Sequence, residues 1–458
     1  MADNCSSAIA DVFAFNVLYD LPFDAKLLYL AKSLRMFTFG FLAVILVQYL
    51  TTFVGFTTEE VGNIFSFMLL SDALISLVFA SNADQFGRRM VLLLSSILSG
   101  LTGIIFAMQT NYIIIMVTAI VGIISPSGQD VGPFMAVEIS SLSSLIPANN
   151  RTRVLAFYNL FSSFATAIGA LVCGYLTDYL SGYYGTAFSY KIIMLIYAAI
   201  QITCICIYQS LSSQIEVPNE MKKTTEKNPI TLFLGLHKSK LIVVQLSLLF
   251  MIDSFAGSFV IQSYISAWFS LVYSTPASTI GCILFVCNIL AGISALFAAK
   301  LADNIGLILT MVITHVPSNI FLILVPFMPT EFLAIVMIVL RFSISQMDVP
   351  TRNAYIVGVV SEDERSGASG VTTISRSISA SIGPSIAGKM LMHTSTANSI
   401  FYISGMLKLV YDFLLLLSFH AVSTDVESVE KNNKRATTSE DGHFSKSAST
   451  ELTPIMKA

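Results

Sequence analysis

Long apolar stretches alternate with short polar turns along almost the whole chain. Twelve of them cover about residues 28–53, 57–80, 90–108, 112–138, 153–178, 190–211, 241–270, 277–299, 305–327, 331–357, 367–392 and 397–420. At ~1.5 Å per residue each is long enough to cross a bilayer as a helix. The one long polar interval between spans is 212–240, where Pro218, Lys222, Lys223, Glu226 and Pro229 predict a solvated connector. The pattern predicts an all-α membrane protein. An amino-terminal arm (1–27) precedes a six-helix bundle (28–211), a linker (212–240), a second six-helix bundle (241–420) and a polar, disordered tail (421–458).

The two groups of spans repeat one another. Ala-Ser-Asn-Ala-Asp-Gln-Phe-Gly, ending at Gly87, recurs 219 positions later as Ala-Lys-Leu-Ala-Asp-Asn-Ile-Gly, ending at Gly306. That alignment runs without gaps back to Gly62 and Gly281 and pairs Asp84 with Asp303. Arg151 to Gly174 likewise aligns with Arg365 to Gly388, and Gln129 and Pro133 with Gln346 and Pro350. Duplicated halves are the mark of a transporter built from structural repeats.

Charge adds a direction. Lysine and arginine fall on one set of loops: Arg88 and Arg89, Arg151 and Arg153, Lys222 to Lys240, Lys300 and Arg365. The opposite loops, around 54–56, 109–111, 179–189, 271–276, 328–330 and 393–396, hold none. By the positive-inside rule both termini are expected in the cytoplasm. With 55% hydrophobic and 12% charged residues, this is no soluble globular chain. A net charge of −3 argues against a nucleic-acid partner. The six cysteines lack metal-ligand spacing, so neither metal nor cofactor is expected. No Ser/His/Asp set, HExxH or phosphate loop is present, which argues against an enzyme and against an ATP-driven pump.

The turn from Ala80 to Arg89 resembles the loop signature Gly-x-x-x-Asp-Arg-x-Gly-Arg-Arg of the major facilitator superfamily, with Ala80 and Gln85 at the first and sixth places. The resemblance implies twelve helices in two pseudo-symmetric bundles, with spans one, four, seven and ten lining a central cavity. It implies a monomeric secondary transporter that moves a small solute by alternating access, with a proton co-transported or exchanged. It also implies a conformational latch on the loop face from Asp84, Gly87, Arg88, Arg89, Glu138, Arg151, Asp303, Gly306 and Arg365. In that latch Glu138 meets Arg88 and Arg89, and Asp84 caps the eleventh span near Arg365.

Ionisable groups inside hydrocarbon need a partner or a water-filled cavity. Asp72, Asp253, His315, Arg341, Arg376 and Lys408 fall near the midplane; Arg35, Asp130, Asp348, Arg352 and Asp412 lie nearer the basic loops. Arg341, Ser345, Asp348 and Arg352 share one helical face of span ten, where Pro350 loosens the backbone. Arg341, Asp348, Arg352, Arg376, Arg35 and Asp130 are the substrate-cavity candidates. Asp253 is the first candidate proton carrier, neutralised otherwise by Arg341 or Arg376, and Asp72 is the second. Lys408 and Asp412, four apart, predict a local ion pair, and His315 a hydrogen-bonded packing residue. The run from Ile124 to Phe134, with two prolines and two glycines, predicts a broken helix in span four. The arginines lean toward an anionic or polar solute. Proton-linked efflux of toxic organic compounds and a non-transporting sensor are the rival functions; plasma membrane, endoplasmic reticulum and vacuole stay open as locations.

Overall fold

The computed structural model describes residues 16–19, 21–130, 132–147, 150–216, 236, 239–361 and 364–419. The arm to residue 15, most of the linker and the tail lie outside the described residues, with the expectations attached to them. Every regular element described is helical. Among the described residues ten helical spans are long and apolar enough to cross a membrane: Phe23–Phe53, Thr58–Phe79, Arg88–Met108, Arg151–Tyr184, Thr186–Gln209, Lys240–Tyr273, Ala277–Ile305, Leu307–Phe327, Glu331–Gly358 and Thr394–Phe419. The fourth and eleventh complete the expected twelve as pairs of shorter helices, Tyr112–Val121 with Gly132–Leu145 and Arg365–Ala380 with Gly383–Met390.

Local chemistry accounts for where helices start and stop. Thr57 Oγ1 accepts the Glu60 amide at 3.2 Å while Glu60 Oε2 accepts the Thr57 amide at 2.8 Å, a reciprocal cap that opens the second span. Asn111 Oδ1 accepts the Ile113 amide at 2.9 Å and opens the fourth. The fourth span breaks across 122–130, in the expected proline- and glycine-rich run. The seventh also breaks, between Gly257 and Gln262, which its apolar sequence does not announce. The tenth breaks at 345–347, just before the Asp348–Gly358 helix that holds Pro350.

The stretch from Ala80 to Arg89 is not a ten-residue turn. The second helix continues to Phe86 and the third begins at Arg88, so Gly87 alone, at φ +98°, reverses the chain. Gly306, at φ +87°, does the same between the eighth and ninth spans. Nothing between Ser81 and Phe86 breaks a helix, and the left-handed turn falls to the one residue that adopts it freely.

The first six spans meet the last six along two outer seams, the second span with the eleventh and the fifth with the eighth, and between them where the first span meets the seventh. A Cβ on Gly62 would lie 2.5 Å from Pro384 O, and one on Gly388 2.4 Å from Thr58 O. A Cβ on Gly281 would lie 2.6 Å from Ala170 O, and one on Gly174 2.3 Å from Ala277 O. The pairs Gly62–Gly388 and Gly281–Gly174 are the same pair under the internal repeat. Hydrogen bonds between the halves gather at this end: Ser385 N to Ser66 Oγ at 2.9 Å, Ser278 N to Asp178 Oδ2 at 2.8 Å and Ser266 Oγ to Ala43 O at 2.7 Å, with an ion pair of Lys389 and Glu59 at 3.1 Å. This end, opposite the Gly87 and Gly306 turns, is closed.

Gly62→Ala and Gly281→Ala are therefore expected to hold this end open. Spin labels at Glu59 and Lys389 should read a longer mean separation in each variant than in the unsubstituted protein. An unchanged distance distribution would show that the helices reseat around the methyl group.

Candidate functional site

Two charge clusters fill the interior, one in each half. In the first half Arg35, fully buried, bonds Asp130 in the break of span four and donates to Glu138 Oε2 at 2.5 Å. Lys32, one helical turn earlier, approaches Asp130 at 3.2 Å and donates to Asn159 Oδ1 at 3.3 Å. Tyr158 donates to Glu138 Oε2 at 2.8 Å and Tyr208 to Oε1 at 2.6 Å, and the Arg35 guanidinium lies 4.2 Å from the Phe134 ring centroid. Two cations and two carboxylates are thus matched and hydrogen-bonded, the condition under which buried charge is stable.

Glu138 consequently sits inside the bundle with Arg35 rather than at the latch with Arg88 and Arg89. Those two arginines are engaged elsewhere. Glu216, in the first turn of the linker, accepts the backbone amides of Arg88 at 2.9 Å and Arg89 at 3.0 Å. A carboxylate there compensates the positive end of the third helix. The Arg88 side chain reaches Ser144 Oγ at 3.3 Å and Ile215 O at 3.3 Å, and Arg89 reaches Gln209 O. Arg151 donates to Ile146 O at 3.1 Å and Arg365 to Val357 O at 3.2 Å; Asp303 is exposed one turn before Gly306. The Asp84 side chain lies outside the described residues.

In the second half Asp253 is the hub. Lys408 donates to its Oδ1 at 2.5 Å and Arg352 to its Oδ2 at 3.1 Å, while His315 Nε2 stands 3.8 Å away. Arg352 also pairs with Asp348 at 3.2 Å. Asp412 takes His315 Nδ1 at 2.7 Å and Asn319 Nδ2 at 2.9 Å. Two expectations are corrected. Asp253 is neutralised by Lys408 and Arg352, not by Arg341 or Arg376. Lys408 and Asp412, though one turn apart, reach across to the seventh and ninth spans instead of to each other, because the midplane carboxylate has no nearer ammonium. His315 is hydrogen-bonded, as its setting predicts, but within this network.

Three candidates stand apart from the pairs. Arg341, 9% exposed, makes no ion pair among the described residues; its Nε and the Oγ of Ser345, one turn along the same face, have no hydrogen-bond partner there. Among the described residues Arg376 donates only to the hydroxyl of Ser254, at 3.1 Å. Asp72 has no ion pair among the described residues: it lies against the start of the second half of span four, where the Gly132 backbone amide faces its carboxyl and a Cβ on Gly132 would lie 2.8 Å from Oδ1. The breaks of spans four and seven meet, where Ser263 Oγ bonds Pro126 O, and Gln262 at the same break exchanges amide hydrogen bonds with Asn288 of span eight at 3.0 and 3.2 Å.

Lys32, Tyr158, Tyr208 and Glu216 are participants that the sequence reasoning missed. Lys32 carried a signal, being a cation inside a span three residues from Arg35. The tyrosines carried none, since nothing separates them from packing residues.

A family model described as Major Facilitator Superfamily matches residues 28–384 and again 246–454. The uncharacterized membrane protein YJR124C of Saccharomyces cerevisiae is 25% identical over 430 residues, covering 88% of this chain and 96% of its own length. Among solved structures, the nucleoside transporter NupG superposes with a TM-score of 0.69 at 14% identity, covering 86% of this chain and 100% of its own. A bacterial homologue of the human lysosomal transporter Spinster, in an inward-facing conformation, gives 0.65 at 13% identity, covering 86% and 96%.

The Asp253 hub makes a stability prediction. Lys408→Ala should destabilise the protein by about 3–5 kcal/mol, since it strips one counter-charge from a buried carboxylate. Adding Asp253→Asn should recover part of the loss. Thermal unfolding in detergent checks both, and a neutral Lys408→Ala variant would contradict the pairing.

Proposed function

The chain belongs to the Major Facilitator Superfamily, and we propose that it carries a small solute bearing an anionic group and couples that movement to a proton. It is a multi-pass membrane protein and a secondary transporter of that family. The carrying observation for the finer reading is Arg341. Among the described residues the other interior cations are paired with carboxylates or held by a hydroxyl, whereas Arg341 is buried with no ion pair, its Nε unbonded and the unbonded Ser345 hydroxyl one turn away. A guanidinium in that position recognises a carboxylate or phosphate through charge-assisted hydrogen bonds. Arg376 adds a second positive charge in the same half.

Asp72 is the preferred proton carrier in this reading. Asp253 gives way because two cations hold it. Asp72 has no counter-charge among the described residues, and a carboxyl group in hydrocarbon needs a proton or an incoming cation. Asp348, Arg352, Arg35 and Asp130, engaged in ion pairs, are assigned to shaping the cavity and not to binding. The turn face, with Gly87, Arg88, Arg89, Arg151, Asp303, Gly306 and Arg365, is assigned to the cytoplasm, so the closed end is the outer one. There Glu216 takes the place in the latch that Glu138 was expected to hold.

Arg341→Gln should weaken binding of the transported anion roughly tenfold to a hundredfold, the worth of one hydrogen-bonded charge. Arg341→Lys should recover little of it, because an ammonium cannot replace the planar fork. Asp72→Asn should bind solute but lose accumulation driven by a pH gradient. Retained pH-driven accumulation in Asp72→Asn would move the proton elsewhere, and unaltered binding in Arg341→Gln would remove the anion site.

Sidedness has its own check. Cysteines introduced at Gly182 and Met328 should react with an impermeant thiol reagent added outside sealed cells, and one at Gln214 should not. The reverse pattern would invert the assignment.

A further inference from the structure

Counted among the described residues over the lysines, arginines and carboxylates of the two interior clusters and Asp72, with His315 taken as a neutral hydrogen-bond donor to Asp412, the halves are unequal. The first holds Lys32 and Arg35 against Asp130, Glu138 and Asp72, one negative charge in excess. The second holds Arg341, Arg352, Arg376 and Lys408 against Asp253, Asp348 and Asp412, one positive charge in excess. The groups without an ion pair among the described residues follow that imbalance: Asp72 in the first half, Arg341 and Arg376 in the second, where Asp412 is met by the His315 imidazole, and the lysines, arginines and carboxylates counted sum to zero.

We infer that the transporter moves one proton together with one monovalent anion, in an electroneutral step. This rests on the proposed roles of Asp72 and Arg341. The physical reason is the cost of net charge in hydrocarbon. The empty carrier is neutral. A proton on Asp72 alone leaves a positive interior, and an anion on Arg341 alone leaves a negative one. Both together restore zero. Reorientation is therefore open to the empty and the doubly loaded carrier and closed to either half-loaded form, which is what obligatory coupling requires.

The count selects the solute by charge. A monocarboxylate or a singly charged phosphodiester balances one proton. A dianion leaves the interior negative, and a neutral sugar leaves the arginine unanswered. The charged group that acts on Asp72 is Asp130 of span four, itself held by Arg35 and Lys32. Loading Asp72 with a proton thus leaves the first cluster's own pairs intact.

The test uses the full chain reconstituted in liposomes with lactate and benzoate as monoanion probes, succinate and glycerol 3-phosphate as dianions, and xylose as a neutral control. At least one monoanion should accumulate about tenfold per unit of imposed pH gradient at a rate absent from protein-free liposomes and lost in Arg341→Gln; uptake equal to that of protein-free liposomes counts as failure. A potassium diffusion potential of either sign should not alter its uptake. Asp72→Asn should still exchange labelled for unlabelled monoanion across the membrane, its anion-loaded form being neutral, while losing net uptake. Monoanion uptake driven by the pH gradient but altered by the potential would overturn electroneutrality and leave proton coupling standing. Uptake indifferent to the pH gradient would refute proton coupling itself. Preference for the dianions or xylose, or failure of both monoanions, would refute the charge class.

Discussion

The cost of an unanswered charge in a low-dielectric interior organises this molecule. Among the described residues eight spans carry charged or imidazole groups into the bundle interiors, and most of these groups are met by a partner from another span. Arg35 joins spans one and four, Lys408 joins twelve and seven, and Arg352 closes the same carboxylate from span ten. These pairs do structural work that apolar contact does less well in lipid, where helix surfaces and acyl chains are equally greasy. They fix which helix faces which.

Against that background an unpaired group is informative. Broken helices supply the room for it. Spans four, seven, ten and eleven all interrupt their ladders near the middle, and four and seven touch at their breaks. Backbone freed in this way is tolerable only where protein or a polar cavity receives it. The interruptions and the lone charges therefore belong to one design: a polar interior whose fixed pairs give rigidity and whose unpaired members are left for cargo.

The architecture was largely legible in the sequence. Span number, the internal repeat and the break in span four follow from hydropathy and from proline and glycine placement, all of them local signals. Partner choice was not legible. Asp253 is buried inside its span, yet its partners Lys408 and Arg352 lie 155 and 99 residues away. Spacing along a helix pointed Lys408 at Asp412 instead. Glu138 shows the same limit: its position near the basic loops was right, but only the helix rotation decides that it turns inward to Arg35. The extent of the turn at Gly87 was missed because polar residues in a helix that leaves the membrane look like a loop.

The glycine pairs at the two seams bear on more than the approach of the halves. Where Gly62 meets Gly388, and Gly174 meets Gly281, backbone touches backbone with no side chain between. No acyl chain fits into such a gap. At this end the solute path is therefore walled off sideways from lipid as well as lengthwise from water, and an amphiphile dissolved in the bilayer finds no lateral door into the cavity there.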